Sequence, residues 1–541
     1  MKEAVKGKEK LLTIISAAVL VFGLLLAFYY IFTREIVTFN IDYTDSLFWA
    51  AASCESNSLI NYDYWYVYII PFSGSLLMIP IVKLLGVTYL AHELGMSLFV
   101  LVMTAAILFG IRALGETIRR SMFITGILLI IMNISLATRV VFFGHVIHYS
   151  LALVFTSVAF ILLNKTECLS AQKFDKKQWV YYVVLVVWCG LCCLNGSSAL
   201  ILFMLPLAGA LVLERLLDKK RISIENIKVP VLKLAGVMFG AFLGFMYKRY
   251  RITPYFDSSY EEKFSALLSS NDWMWKDQSL VTKFSLLLTG EIYKDTPMLS
   301  GEGIFTMTRL ILGMLLLIIP AAALFFYKKY DNRMMRILLL DYWVLLILTY
   351  LSYGVSIVQN ESWRLCALLG MALIVSMEFL FWIIGQDFLS RFGYLALAYI
   401  IAVTLTVPLS VYTLPADPEL NGYVRLTKVL EENGLTYGYS TMWGGSDVVN
   451  VISDSRVRIA MISFGDEGDY HIVRYQTQAS WYEDQPGVDR YFVVVSNDDL
   501  KSVKDTLAAN SIDQIPFEDS TILVFDRNIF KDGQPVFWEA E

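Results

Sequence analysis

The segment Asn40-Ile-Asp42-Tyr-Thr-Asp45-Ser-Leu-Phe-Trp49 carries the residue types best suited to chemistry in this chain. If it is helical, Asp42, Asp45 and Trp49 fall at i, i+3 and i+7 and share a face. A carboxylate there can take a proton from a hydroxyl, and an indole beside it can bind a sugar. The alternative is a solvated helix face, with Asp42 near a helix start where the backbone dipole favours negative charge. Downstream, Asn61-Tyr-Asp63-Tyr64-Trp-Tyr-Val-Tyr68 is densely aromatic. It reads either as more of a sugar site or as a belt at the headgroup level of a membrane.

A second set of residues is cationic. Arg139, Lys248, Arg249, Arg251 and Arg364 come out at the outer ends of apolar segments, against the trend that keeps basic residues in the cytoplasm. Arginine at that depth suits bidentate binding of phosphate. Snorkelling to lipid headgroups is the competing explanation. His145 and His148 stand three residues apart near an outer helix end. Two histidines read more simply as a hydrogen-bonded polar pair than as a metal site.

The elements that must position these residues are set by lipid. Of 541 residues 57% are hydrophobic and only 17% charged, so the solvent for most of the chain is a bilayer. Apolar runs long enough to span occur at 11–32, 91–111, 122–138, 142–163, 179–194, 197–213, 230–247, 304–327, 337–358, 363–384 and 392–412. The first is too long for a signal-peptide core and has no small-residue cleavage site after it, so it reads as a retained anchor. Residues 69–85 form a shorter run interrupted by Pro71, Gly74, Pro80 and Lys83. Lys2, Lys6, Lys8 and Lys10 place the N-terminus in the cytoplasm. The basic loops at 112–120, 165–177, 219–221 and 328–336 then also fall inside, provided that 69–85 does not cross. This predicts a juxtamembrane or re-entrant segment at 69–85 and two large outer elements, 33–90 and 248–303. In the second, Trp273 and Trp275 could cover a site, stack on sugar, or pack on the membrane.

From Leu414 onward acidic residues outnumber basic ones by about twelve, although the whole chain carries only -5. That acidic tail reads as folded and extracytoplasmic. A helix is expected at 423–432, stopped by Asn433-Gly434, followed by strands at 436–440, 457–463, 491–495 and 521–525. An amphipathic helix at 498–509 separates the last two. The expected architecture is an α-helical polytopic membrane protein of about eleven spans (1–412) with a small C-terminal α/β domain (413–541). Cys189, Cys192 and Cys193 lie inside an apolar run and read as small buried hydrophobes. An acidic exposed domain gives no support to nucleic-acid binding.

A first helix, an acidic outer loop and an amphipathic segment ending in Leu85-Gly86 resemble the GT-C superfamily of polyprenyl-phosphate-dependent glycosyltransferases. The likeness is above all to the protein O-mannosyltransferase and lipid A aminoarabinose transferase branch. Ala137-Thr-Arg139, Glu361-Ser-Trp-Arg364-Leu and the C-terminal domain fit the same layout. Three features depart from the pattern. The family's Asp-Glu pair is represented by Asp42 and Asp45, His145 stands where an acidic residue often follows the second-loop arginine, and His92-Glu93 replaces an arginine.

The resemblance implies transfer of a sugar, with inversion, from a polyprenyl-phosphate donor to a hydroxyl of a cell-envelope acceptor. Asp42 would be the general base and Asp45 would orient it or bind acceptor. Arg139, Lys248, Arg249, Arg251 and Arg364 would hold the donor phosphate. Trp49, Tyr64 and His145 would line the sugar or acceptor. No cofactor is implied outright; relatives differ in whether a divalent metal takes part, and Asp42-x-x-Asp45 is not diagnostic. The competing functions are a transporter or lipid flippase, and a non-catalytic envelope scaffold. An odd span count, no internal repeat and few charges inside the spans weigh against transport.

Overall fold

The computed structural model describes residues 2–145, 148–166, 175–218, 224–256, 280–290, 296–355, 362–386, 389–465, 468–531 and 533–536. Among them, eight helices are long and apolar enough to cross a membrane, or nine if one bent pair counts as a single span. The eight are Glu9–Thr33, Tyr89–Ala113, Ser197–Leu217, Val229–Tyr255, Gly301–Phe325, Arg333–Ser352, Cys366–Ile384 and Ser390–Tyr412. Each covers one of the expected runs. Two further expected runs fall on helices His148–Lys165 and Lys176–Cys193. The first is cut short by the irregular turn Val140–Gly144 before it, and the second opens on two lysines.

The run expected as a straight span at 122–138 is instead bent. Helix Ile118–Ile131 meets the segment Leu136–Gly144 at 119°. The cause is local. The Asn133 side chain donates to the Leu129 carbonyl at 3.0 Å, and Ser135 starts a new helix by a reciprocal cap with Thr138. Residues 75–85 form a helix of 11 residues. Its length is about 16 Å, against a bilayer core of about 30 Å, so it is too short to cross.

Contacts divide the chain into two compact units. The first comprises Met1–Tyr30, Phe99–Pro254 and Ser259–Leu414; the second comprises Ile31–Leu98, Tyr255–Ser258 and Pro415–Glu541. The division drawn from sequence at residue 412 leaves the outer loop with the membrane body, whereas contacts group that loop with the tail.

In the membrane unit, helix Ile224–Tyr247 packs along Lys176–Cys193. Gly240 and Gly244 face the Val186 and Gly190 carbonyls so closely that a Cβ would collide with backbone. Small residues four apart are the usual means of close helix approach in lipid, where apolar burial no longer drives association. Cys189, Cys192 and Cys193 are buried, as their apolar context predicts.

The second unit is built on a six-stranded sheet. Its strands are β2 (Tyr437–Ser440), β3 (Arg458–Phe464), β4 (Tyr470–Ile472), β6 (Tyr491–Ser496), β7 (Asp513–Phe517) and β8 (Ser520–Phe525), in the order β4-β3-β2-β6-β8-β7. β2 runs parallel to both β3 and β6, and the outer strands are antiparallel to their neighbours. Helix Gly422–Glu432 lays Leu426 and Leu430 on Val449, Ile459, Phe492, Val494, Ile522 and Val524. The expected helix at 498–509 is a single turn, Asp499–Ser502, continued by the wider turn Lys504–Ala508.

The outer loop is stitched into this unit. β1 (Tyr64–Trp65) pairs antiparallel with β5 (Thr477–Gln478). The Asn421 amide donates to the Ile36 and Phe39 carbonyls at 2.6 and 3.0 Å, and Ser455 Oγ donates to the Val87 carbonyl at 2.8 Å. Hydrogen bonds from the tail therefore satisfy loop carbonyls that would otherwise need water.

Candidate functional site

The carboxylates lie in the second unit. Ile41–Tyr43 is a 3-10 turn started by Asn40, whose side chain accepts from the Asp42 amide at 3.0 Å. A new helix, Asp45–Ser56, begins after Thr44. Asp42 therefore lies in the 3-10 turn and Asp45 and Trp49 in the helix after it, so the three do not belong to one continuous α-helix. Asp42 is half-buried near Tyr423, whose phenol is pushed up by burial and by the Asp42 charge.

Asp45 is only 2% exposed. Its two carboxylate oxygens accept from donors far apart in sequence: Tyr68 Oη at 3.1 Å on Oδ2, and Gln476 Nε2 on Oδ1. Gln476 itself is fixed by its backbone amide, which donates to the Trp65 carbonyl at 2.8 Å. Two donors aimed at one buried carboxylate fix its orientation.

Trp49 and Tyr64, expected at a sugar surface, are core residues here, 3% and 2% exposed. The Trp49 ring packs against Tyr66 and Tyr68, and the Tyr64 ring against Tyr66 and Trp481. The aromatic run at 61–68 thus forms the wall between helix Asp45–Ser56 and the tail, since β1 turns alternate rings into the unit.

A third buried group sits where no arginine was found in the sequence. His92 Nε2 lies 3.2 Å from Glu35 Oε2, and both side chains are fully buried. Phe39 and Tyr43 ring the imidazole, so the pair fixes the strand of loop leading to Asp42. Burial raises the Glu35 carboxyl above its ordinary range, and His92 pulls it partly back.

The cations lie in the membrane unit. Arg139 ends the short helix Leu136–Arg139, is 5% exposed, donates to the Asn133 carbonyl at 2.8 Å and lies over the Tyr30 ring. Arg364 sits in the turn Ser362–Leu365, over the Tyr149 ring. These two turns pack against each other and against helix Leu280–Thr289, where Ser135 Oγ donates to the Leu287 carbonyl at 2.6 Å. Arg309, within helix Gly301–Phe325, is close enough to Arg139 for their charges to repel. The sequence signal for it was one arginine inside an apolar run, and it was missed. Arg309 and Arg364 form no ion pair among the described residues. Like charges brought close together are an arrangement that an anion stabilises.

Lys248 is buried against Gly196, whose φ of +76° and missing Cβ leave room for the lysine stem. Arg249 and Arg251 are exposed on the same irregular turn, Lys248–Ile252. His145 follows Gly144 in extended conformation, outside helix His148–Lys165, so the two histidines do not form a helical i, i+3 pair. The His148 side chain and the loop with Trp273 and Trp275 lie outside the described residues. Among the described residues no three His, Cys, Asp or Glu side chains gather as metal ligands.

The chain is a multi-pass membrane protein with an ArnT-like fold. In particular, it matches ArnT from Cupriavidus metallidurans in the apo state at a TM-score of 0.56 and 10% identity, over 96% of this chain and 98% of that one. It matches the same enzyme bound to undecaprenyl phosphate at 0.54 and 9% identity, over 98% and 99%. An Archaeoglobus fulgidus oligosaccharyltransferase in complex with zinc and sulfate matches at a TM-score of 0.45 and 11% identity, over 89% of this chain and 68% of that one. No family model and no curated protein matches the sequence.

Proposed function

We propose that this protein is a membrane glycosyltransferase that moves a sugar from a polyprenyl-phosphate donor to an acceptor hydroxyl on the outer face, with inversion. The observation that carries this reading is the Asp45 carboxylate, buried and gripped by Tyr68 and Gln476, with half-buried Asp42 three residues away. Burying a carboxylate is unfavourable, and chains retain such groups chiefly where they act. The ArnT fold supports the lipid donor, since that enzyme has been solved bound to undecaprenyl phosphate.

The chemistry suits these residue types. A glycosyl phosphate already has a good leaving group, so no general acid is needed at the glycosidic oxygen. Arg139, Arg309 and Arg364 stabilise the negative charge that builds on the departing phosphate. Asp42, the more accessible carboxylate, takes the acceptor proton, and Asp45 orients the loop that carries it. Attack opposite the phosphate inverts the anomeric carbon. Lys248, Arg249 and Arg251 remain further phosphate contacts. The N-terminus is cytoplasmic, and the unit containing the tail faces outward.

The test is sugar release or transfer by the purified full-length protein from a panel of polyprenyl-phosphate sugars, alongside Asp42→Asn. Turnover that disappears in the variant while polyprenyl-phosphate binding persists supports the transferase and the base together. A wild-type protein that binds none of these lipids overturns the reading in favour of transport or scaffolding.

A further inference from the structure

The C-terminal end of β2 is a topological switch point, because its parallel neighbours β3 and β6 lie on opposite sides of it. In open parallel sheets, functional groups collect at that place. Here the chain leaves β2 and starts the helix Ser446–Ile452, with Asp447 in its first turn. The outer loop lies against this edge, and the turn Ile41–Tyr43 packs on that helix.

Asp447 is fully buried, and neither of its carboxyl oxygens accepts a hydrogen bond from another of the described residues. The charged and titratable groups facing it are Asp45 and Tyr64 from the outer loop, Arg458 on β3, and Tyr482 after β5. Tyr64 Oη and Gln476 Oε1 also lack partners among the described residues. So the carboxylate with two donors, Asp45, has beside it a carboxyl with none and two further orphaned oxygens. Three acceptor oxygens, two on Asp447 and one on Gln476, lack a donor from another described residue; the Tyr64 hydroxyl brings a hydrogen of its own, and a proton on Asp447 supplies a second.

We propose that Asp447 is a positioning residue of the Asp45 site, a buried acid through which the C-terminal segment sets the electrostatic surroundings of the outer-loop carboxylate. This rests on the reading of that loop as catalytic. Burial first, and the Asp45 charge second, push the Asp447 carboxyl well above the ordinary range, and Arg458 only partly reverses this. Two like charges in one dry space are unfavourable, so one carboxyl keeps its proton and the other its charge. Asp447, which has no donor from another described residue, is the one that keeps its proton.

The experiment compares wild type, Asp447→Asn, Asp45→Asn and the double variant, each full-length in detergent, by thermal melting from pH 5 to 9 and by the pH profile of donor turnover. A neutral buried acid releases its proton on unfolding, so wild-type melting falls as pH rises above the ordinary carboxylate range. The slope is expected to flatten in Asp447→Asn, which mimics the neutral acid. In Asp45→Asn it should level off at lower pH, and the double variant should depart from additivity. The alkaline fall in turnover should move upward in Asp447→Asn. Additive melting shifts with an unchanged slope overturn the proposal. If Asp447→Asn fails to fold, an unaltered melting slope in Asp45→Asn does the same. Melting needs no substrate, so a protein that binds none of the donor lipids defeats the transferase reading while this coupling is still read.

Discussion

Replacing Gln476 with leucine removes one of the two donors on Asp45 while nearly keeping side-chain volume. Gln476 is fully buried, so water cannot take over the lost bond. A hydrogen bond to a charged group contributes roughly 1.5–3 kcal/mol. At about 1.4 kcal/mol per tenfold in rate, losing it at the transition state predicts a fall in turnover of about 10- to 150-fold. Tyr68→Phe removes the other donor, but Tyr68 is half-buried and a water can partly replace its hydroxyl, so its effect should be under about tenfold. The assay is turnover of a polyprenyl-phosphate sugar by purified protein, with melting measured on the same samples. Turnover of Gln476→Leu within threefold of wild type, together with lowered melting, refutes the reasoning. The contact would then hold the fold together without serving the reaction.

Asp42→Asn should lower turnover by about 10²- to 10⁴-fold while polyprenyl-phosphate binding, measured by native mass spectrometry, survives. Arg139→Lys keeps the charge but loses the planar fork, and should weaken polyprenyl-phosphate binding on the order of tenfold in a titration. Glu35 has a raised folded pKa, so its contribution is full below the ordinary carboxylate range and declines as pH rises toward the folded value. The decline is at most about 1.4 kcal/mol per pH unit, and Glu35→Gln should flatten it in melting scans between pH 4 and 8. Gly196→Ala puts a Cβ onto the Lys248 side chain at a positive φ and should destabilise the protein by about 1–2 kcal/mol or more, read as lowered melting.

By itself, the sequence determined what depends on local pattern. Unbroken apolar length marks a candidate membrane span whatever packs around it, so eight runs were legible, and the short helix within 69–85 follows from its interruptions by Pro71 and Gly74. Helix Gly422–Glu432 and strands β2, β3, β6 and β8 were equally legible, since their periodicity and turn residues are contained in a few consecutive positions. The bend after Ile131 was not, because the Asn133 and Ser135 side chains compete with the backbone inside a run that hydropathy reads as continuous.

The site divides along the same line. Asp42 and Asp45 were recognisable as carboxylates beside a span, and Arg139 and Arg364 as arginines out of place. Only tertiary structure decided that Asp45 is gripped by Gln476, 431 residues away, that Trp49 and Tyr64 are core, and that Asp447 belongs beside them. Gln476 and Asp447 carry no local signature, because what distinguishes them is a partner or the lack of one after burial. Hydrophobic pattern is written along the chain, whereas the field at a buried carboxylate is the sum over whatever the fold brings near it.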